Sequence, residues 1–181
     1  MKKAVFLDRD GVLNNVIILN NSPTPPKSIT ELEVLPGVFD SLKKLKAANF
    51  LLIVITNQPD VARGNRSIES INQINTYLAD VLPLDAIYMC QHDDIDECAC
   101  RKPKPGLLTL AANELKVSLS ESYLVGDRWK DIKAGQAVSC KCYFIDNNYA
   151  ELRPEPPYTR VISLQEATDD ILKGLSNDDD I

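Results

Sequence analysis

Long hydrophobic runs are missing from this 181-residue chain. The longest, Phe50–Ile55, holds six large apolar residues, far short of the roughly 20 that span a bilayer. The apolar stretch behind the basic start, Ala4–Leu7, stops at Asp8, too soon for the core of a secretory signal. Glycine-rich phosphate loops are missing too. The seven glycines stand at 11, 37, 64, 106, 126, 135 and 174. No three of them fit G-x-G-x-x-G and no pair fits G-x-x-x-x-G-K-[ST], which excludes the dinucleotide fingerprint and the Walker A loop. An excess of positive charge is lacking: 20 Lys+Arg face 26 Asp+Glu, a net charge of −6. That argues against nucleic acid or an anionic membrane as partner. Histidine is reduced to His92 alone, and the five cysteines are an odd number. Without a signal peptide, an odd count speaks against a disulfide framework and for reduced thiols in the cytoplasm.

What is present suits a globular enzyme. The length fits one domain of about 100–200 residues, expected over 1–175 with an acidic tail at 176–181. Short apolar runs alternate with helical patterns. Strands are expected at Lys3–Leu7, Phe50–Ile55, Ala86–Met89, Ser122–Val125 and Cys142–Ile145. Helices are expected at Val38–Ala48, Ser67–Leu82, Gly106–Leu115, Asp131–Val138 and Leu164–Leu175. Ser67 and Ser70 are both candidate caps of the second helix, and Gly174 stands near the end of the last. Strict β-α alternation implies a doubly wound parallel sheet, Rossmann-like in class. Ligands in such sheets lie beyond the carboxyl ends of the strands. The Pro- and Asn-rich stretch Asn14–Thr30 shows no period and is expected to be a flap over that edge.

The residues after each strand therefore carry the functional reading. Asp8-Arg9-Asp10-Gly11 follows the first strand. Two carboxylates beside a buried strand repel unless a cation offsets them, although Asp and Gly are also common turn residues. Thr56-Asn57-Gln58 follows the second strand and offers uncharged donors to a phosphate. Arg101-Lys102-Pro103-Lys104 precedes a helix start after the third, a favourable place for an anion. Gly126-Asp127-Arg128 follows the fourth, with Asp131 close behind. Asp127 could join Asp8 and Asp10 in holding one hard cation such as Mg²⁺. A carboxylate nucleophile, a hydroxyl, a lysine and a metal-binding acid are the parts that phosphoryl transfer needs.

These four segments, in this order and spacing, resemble the four motifs of the haloacid dehalogenase superfamily of phosphatases. The resemblance runs from about Lys3 to Ile145. It is strongest to the subfamily that holds the heptose bisphosphate and histidinol-phosphate phosphatases. It implies that Asp8 is the nucleophile and Asp10 the general acid and base. It implies Mg²⁺ on Asp8, on the backbone carbonyl of Asp10 and on Asp127. Thr56 and Lys102 would steady the phosphoryl group. Asn57, Gln58, Pro59, Arg101 and Arg128 would face the substrate, and Asp131 would support the metal ligands from behind. The short stretches between motifs leave no room for a large cap domain. Asn14–Thr30, longer and richer in proline than the family's flap, and the loop 90–100 would cover the site instead. The segment Thr56–Gly64, with its Ala62-Arg63-Gly64, favours D-glycero-D-manno-heptose 1,7-bisphosphate cut at C7. Histidinol phosphate or another small phosphomonoester is the alternative.

Cys90, His92, Cys98 and Cys100 offer three thiolates and one imidazole, a tetrahedral Zn²⁺ set. A catalytic histidine, a redox pair or a chance cluster would also use these residue types. Four ligand types within so short a loop fit a metal better, and the resemblance adds weight. Cys140 and Cys142 read as small buried hydrophobes. A phospho-accepting receiver-like module and a zinc-stabilised binding module without activity are the competing classes. The first would place its acceptor Asp after the third strand, where this chain has cysteines. Expected partners are a small sugar phosphate, Mg²⁺ and Zn²⁺, with the chain a monomer.

Overall fold

The computed structural model describes residues 1–19 and 22–178. In chain order its elements are β1 (Ala4–Leu7), β2 (Ile17–Leu19), β3 (Ser22–Thr24), α1 (Val38–Ala47) and β4 (Leu51–Asn57). There follow α2 (Ile68–Val81), β5 (Ala86–Cys90), α3 (Gly106–Leu115), β6 (Tyr123–Gly126) and α4 (Trp129–Gln136). β7 (Lys141–Ile145), β8 (Thr159–Val161) and α5 (Leu164–Asp178) complete the chain. Six strands pair in parallel in the order β5-β4-β1-β6-β7-β8. The chain leaves β1 toward β4 and β5, then returns to the far side of β1 for β6. The order reverses between β1 and β6, and a doubly wound sheet opens its ligand crevice at that point.

Period-two side chains explain the two layers. Val5, Leu7, Leu52 and Val54 pack with Leu42 and Leu45 of α1, Leu78 of α2 and Ile171 of α5. Phe6, Ile53, Ile55 and Leu124 pack on the other face with Leu108 and Ala111 of α3 and Ile132 of α4. A strand covered on both faces needs apolar residues at every position, and all four residues of β1 are buried. Cys140 and Cys142 are buried in the second layer, as small hydrophobes would be.

The structure departs from the expected elements in three places. β8 is a sixth parallel strand. Its Thr159 and Arg160 are exposed, so no apolar run announced it. The flap contains an antiparallel hairpin, β2 with β3, where an irregular segment was expected. Pro23 sits in β3, and a proline makes a run read as something other than a strand. Asn20 and Asn21 lie outside the described residues. α5 runs on past its expected end at Leu175 to Asp178, with Gly174 inside it. An interior glycine costs about 1 kcal/mol, and Leu172 and Leu175 pack against the core on either side of it. The expected tail at 176–181 is thus helical backbone as far as Asp178, and its last three residues lie outside the described residues. Elsewhere local chemistry sets the ends. Ser67, not Ser70, caps α2, its side chain accepting from Ser70 N at 3.2 Å. α4 starts at Trp129, ahead of the expected Asp131, because the Asp131 carboxylate accepts from the backbone N of Arg128 at 2.9 Å.

Ser122 ties the front of the sheet together. Its buried hydroxyl accepts from Ala4 N at 3.0 Å and donates to Ser118 O at 2.6 Å. Replacing it leaves a buried backbone donor unsatisfied. Ser122→Ala is expected to lower stability by about 1–3 kcal/mol in urea unfolding; an unchanged midpoint and slope would contradict that role.

Candidate active site

Residues from the end of β1, from β4 and from the first turn of α4 converge on one buried ammonium. Lys102 is 3% exposed, and its Nζ lies 2.7 Å from Asp8 Oδ1 and 2.6 Å from Asp131 Oδ1. It also donates to Ile55 O of β4 at 2.8 Å. Asp8 extends β1, its N–H donating to Val125 O at 3.0 Å. Asp131 stands in the first turn of α4. The backbone of Lys102 is clamped by Asn57 at the end of β4. Asn57 Nδ2 donates to Lys102 O at 3.0 Å, and Lys102 N donates to Asn57 Oδ1 at 3.1 Å. Burial opposes the Lys102 charge, but Asp131 and Asp8 overcome it and hold the ammonium above its usual range.

Asp10 sits in a cage of donors. Arg9, fully buried, directs Nε and Nη2 at its carboxylate and Nη1 at Asn75 Oδ1, 2.8 Å away. Asn14 Nδ2 donates to Asp10 Oδ1 at 3.0 Å and Gln58 Nε2 to Oδ2 at 2.7 Å. Gln58 Nε2 also donates to Thr56 Oγ1 at 2.9 Å. The Thr56 hydroxyl hydrogen is thereby left to donate elsewhere.

Asp127 ends in a different kind of neighbourhood. Its carboxylate is buried beside Asp8 and Asp131, and one oxygen from each of the three lies within 4.8 Å of the others. Oδ1 has no partner among the described residues. Oδ2 accepts from Asn147 Nδ2 at 3.4 Å, and the Tyr149 hydroxyl beside it opposes the rise of this carboxyl. Burial, then the charges of Asp8 and Asp131, push the Asp127 carboxyl well above the usual range. Burial likewise raises Asp8 to about 6, with Lys102 opposing and Asp131 and Asp10 adding to the rise. A cation beside them would favour the charged forms. An orphaned buried carboxylate oxygen among like charges is the setting that fits a hard divalent ion such as Mg²⁺.

Above this floor opens a cavity of about 390 Å³. Asp8, Asp10, Thr56, Asn57, Pro59, Arg101, Lys102, Asp127, Arg128 and Asp131 all line it, with the flap contributing Val16 and the stretch 22–25. Arg63 and Lys130 add two cations to its wall. Of the expected substrate-facing residues, Gln58 is 1% exposed and turns to Asp10 and Thr56 instead. Asn57 lines the cavity but commits its amide to the Lys102 backbone. Arg101 Nε donates to Asp94 Oδ1 at 2.7 Å, and Arg128 pairs with Glu151. The sequence reading missed Arg9 as the guanidinium that grips Asp10, and it missed Asn147, Tyr149 and Glu151 altogether. No periodicity marks their loop, and only the fold brings it to Asp127.

The Cys/His loop closes on itself. Cys90 Sγ lies 3.7 Å from Cys98 Sγ and 3.2 Å from Cys100 Sγ, and Cys98 and Cys100 are 3.4 Å apart. His92 Nδ1 is 3.5 Å from Cys90 Sγ and 3.3 Å from Cys100 Sγ. All three cysteines are free thiols. A tetrahedral ion with bonds of about 2.3 Å to sulfur needs ligand separations of about 3.8 Å, so the four atoms fit Zn²⁺ after a small expansion. Arg101 and Lys102 follow directly on this cluster. No helix among the described residues is long and apolar enough to cross a membrane.

Known proteins share both sequence and architecture with this chain. A family model for haloacid dehalogenase-like hydrolases matches residues 26–139, a span that includes Thr56, Lys102 and Asp127 and begins after Asp10. A D-glycero-beta-D-manno-heptose-1,7-bisphosphate 7-phosphatase of Helicobacter pylori is 37% identical over 145 residues, covering 77% of this chain and 80% of that protein. Its counterpart in Pasteurella multocida is 38% identical over 152 residues, covering 78% and 79%. A crystal structure of D,D-heptose 1,7-bisphosphate phosphatase from B. bronchiseptica, complexed with magnesium and phosphate, superposes with a TM-score of 0.80. It is 28% identical and covers 95% of this chain and 99% of its own. Matching sequence over most of the chain, on a shared parallel-sheet core, makes this protein a member of the haloacid dehalogenase-like hydrolase family.

Proposed function

We propose that this chain is a single-domain, Mg²⁺-dependent phosphatase that removes the C7 phosphate of D-glycero-D-manno-heptose 1,7-bisphosphate in the cytoplasm. The observation that carries the reading is the buried Asp8–Lys102–Asp131 assembly, with Asp127 beside it, under a cavity whose wall carries Arg63, Arg101, Arg128 and Lys130 together with Asp60 and Asp94. Asp8 is the nucleophile: its carboxylate attacks phosphorus, the bond from phosphorus to the sugar oxygen breaks, and an aspartyl-phosphate forms. Asp10 gives the departing alkoxide its proton, then takes one from the water that hydrolyses the aspartyl-phosphate. Lys102 offsets charge on the phosphoryl oxygens and the free Thr56 hydroxyl hydrogen bonds one of them. Asp131 holds Lys102 in place, and both of its oxygens are committed, to Lys102 and to Arg128 N. Mg²⁺ would be held by Asp8, the Asp10 carbonyl and Asp127, and supplies positive charge against the phosphoryl oxygens.

The substrate reading draws support from the relatives and from the wall. Arg63, Arg101, Arg128 and Lys130 lie beyond the floor, paired with Asp93, Asp94, Glu151 and Asp94, and a second phosphate on the substrate would take up the same donors. The β2–β3 hairpin covers the cavity in place of a cap domain. The receiver-like alternative loses its footing with membership of a hydrolase family and with cysteine at the end of β5. The loop ligands Cys90, His92, Cys98 and Cys100 hold one structural Zn²⁺, which pins the segment that carries Arg101 and Lys102.

With Mg²⁺ present, heptose bisphosphate is expected to turn over faster than histidinol phosphate or simple sugar phosphates; histidinol phosphate as the better substrate would overturn the assignment. Asp8→Asn should release no phosphate above background. Lys102→Met should lower kcat about 10²–10³-fold, the cost of one lost charge-stabilising group, and near-normal turnover would remove Lys102 from the mechanism. Metal analysis of the purified protein should find about one zinc per chain, as a closed four-ligand site implies. Stripping it should lower melting temperature and activity together. A fully active protein without zinc would contradict the loop's assigned role.

A further inference from the structure

We infer that Tyr149 and Asn147, from the loop after β7, are positioning residues for Asp127 and set the Mg²⁺ affinity of the site. The inference rests on the phosphatase reading, which gives Asp127 its metal. Three chain segments meet at one carboxylate oxygen. Asn147 Nδ2 reaches Asp127 Oδ2 at 3.4 Å, Gly11 O at 3.2 Å and Tyr149 Oη at 3.1 Å. The Tyr149 hydroxyl, which accepts from Asn147 Nδ2, stands beside the same carboxylate and favours its charged form. Gly11, with φ of +88°, makes the meeting possible: a Cβ there would stand 1.9 Å from Asp127 Oδ2 and 2.9 Å from Tyr149 Oη.

The consequence is a division of labour within one carboxylate. Oδ2 faces the neutral polar groups of the loop and accepts from Asn147 Nδ2. Oδ1, buried and without a partner among the described residues, is the oxygen left for a cation. Because these groups are neutral, they fix the carboxylate without cancelling its charge. The loop that supplies them is itself anchored. Asp146 at its start accepts from Asn148 N at 3.0 Å and pairs with Arg160 at 2.7 Å and with Arg153. Glu151, two residues beyond Tyr149, grips Arg128 on the cavity wall. One loop thus holds the metal-binding acid and a wall cation in register. Hydrogen-bond partners of this kind commonly govern metal affinity 10- to 100-fold when removed.

The test is calorimetric titration of Mg²⁺ alone into full-length protein freed of Mg²⁺, below the melting transition. Tyr149→Phe keeps the ring and removes the hydroxyl; its Kd for Mg²⁺ is expected to rise about tenfold, with kcat at saturating Mg²⁺ and the substrate KM unchanged. Asn147→Ala should shift Kd in the same direction. Tyr77→Phe, on the exposed face of α2, should leave it unchanged. An unaltered Kd in Tyr149→Phe would overturn the inference, as would a lower melting temperature with the same Kd, because the hydroxyl would then serve stability alone. Wild-type protein that binds no Mg²⁺ would overturn the metal reading itself, and this inference with it.

Discussion

The ammonium of Lys102 is the charge around which the carboxyl edge of the sheet is organised. It is buried, touches two carboxylates and one backbone carbonyl, and would be costly to leave unpaired by several kcal/mol. Asp8, Asp127 and Asp131 bring three carboxylates to the same buried place. One lysine answers one of them. Burial first, and then the repulsion among the remaining negative charges, raises the carboxyls of Asp8 and Asp127, and a divalent cation and an electron-poor phosphorus centre would each relieve that charge. A site with this balance is poised to receive a metal and a phosphoryl group together.

Each neighbour of that lysine comes from a different part of the chain. Asp8 prolongs β1, Ile55 belongs to β4, and Asp131 opens α4. Parallel strands end on the same side, so a reversal of strand order places β1 and β6 ends next to each other with a gap between their helices. Lys102 itself arrives from the segment after β5. That segment is long and irregular, and two devices hold it: the Asn57 amide on the Lys102 backbone, and the Cys/His cluster immediately before it. The zinc reading therefore bears on chemistry through position. Arg101 also donates to His92 O at 3.3 Å, which ties the cavity wall to the same loop.

Much of this was legible in the sequence, for a physical reason. Strands buried on both faces must be continuously apolar, so β1 and β4 announced themselves, and the polar residues after them had to sit at the carboxyl edge. Asp8, Thr56, Lys102 and Asp127 were found that way. The Cys/His spacing likewise marked Cys90, His92, Cys98 and Cys100 as a group, and their sulfur and nitrogen atoms lie within 4.8 Å of one another. What stayed hidden had no pattern to follow. β8 is short and exposed, and β3 contains a proline. Arg9 was given no role by the sequence, yet it is fully buried with its guanidinium on Asp10. Gln58 read as a substrate contact but turns inward to join Asp10 and Thr56. Asn147 and Tyr149 lie in a loop whose sequence gives no sign that Gly11, far away in the chain, has made room for them.

The covalent role of Asp8 is tested most directly by trapping the phosphoryl group. Asp10→Asn protein with Mg²⁺ and p-nitrophenyl phosphate provides the condition: nitrophenolate leaves without an acid, and the water of the second step has lost its base. After an acid quench, peptide mass spectrometry should find one phosphoryl group on the peptide that contains Asp8, labile to hydroxylamine and missing when Asp8 is also changed to Asn. Release of nitrophenolate with no phosphoryl group on Asp8, or with one on another residue, would contradict the nucleophile assigned to this site.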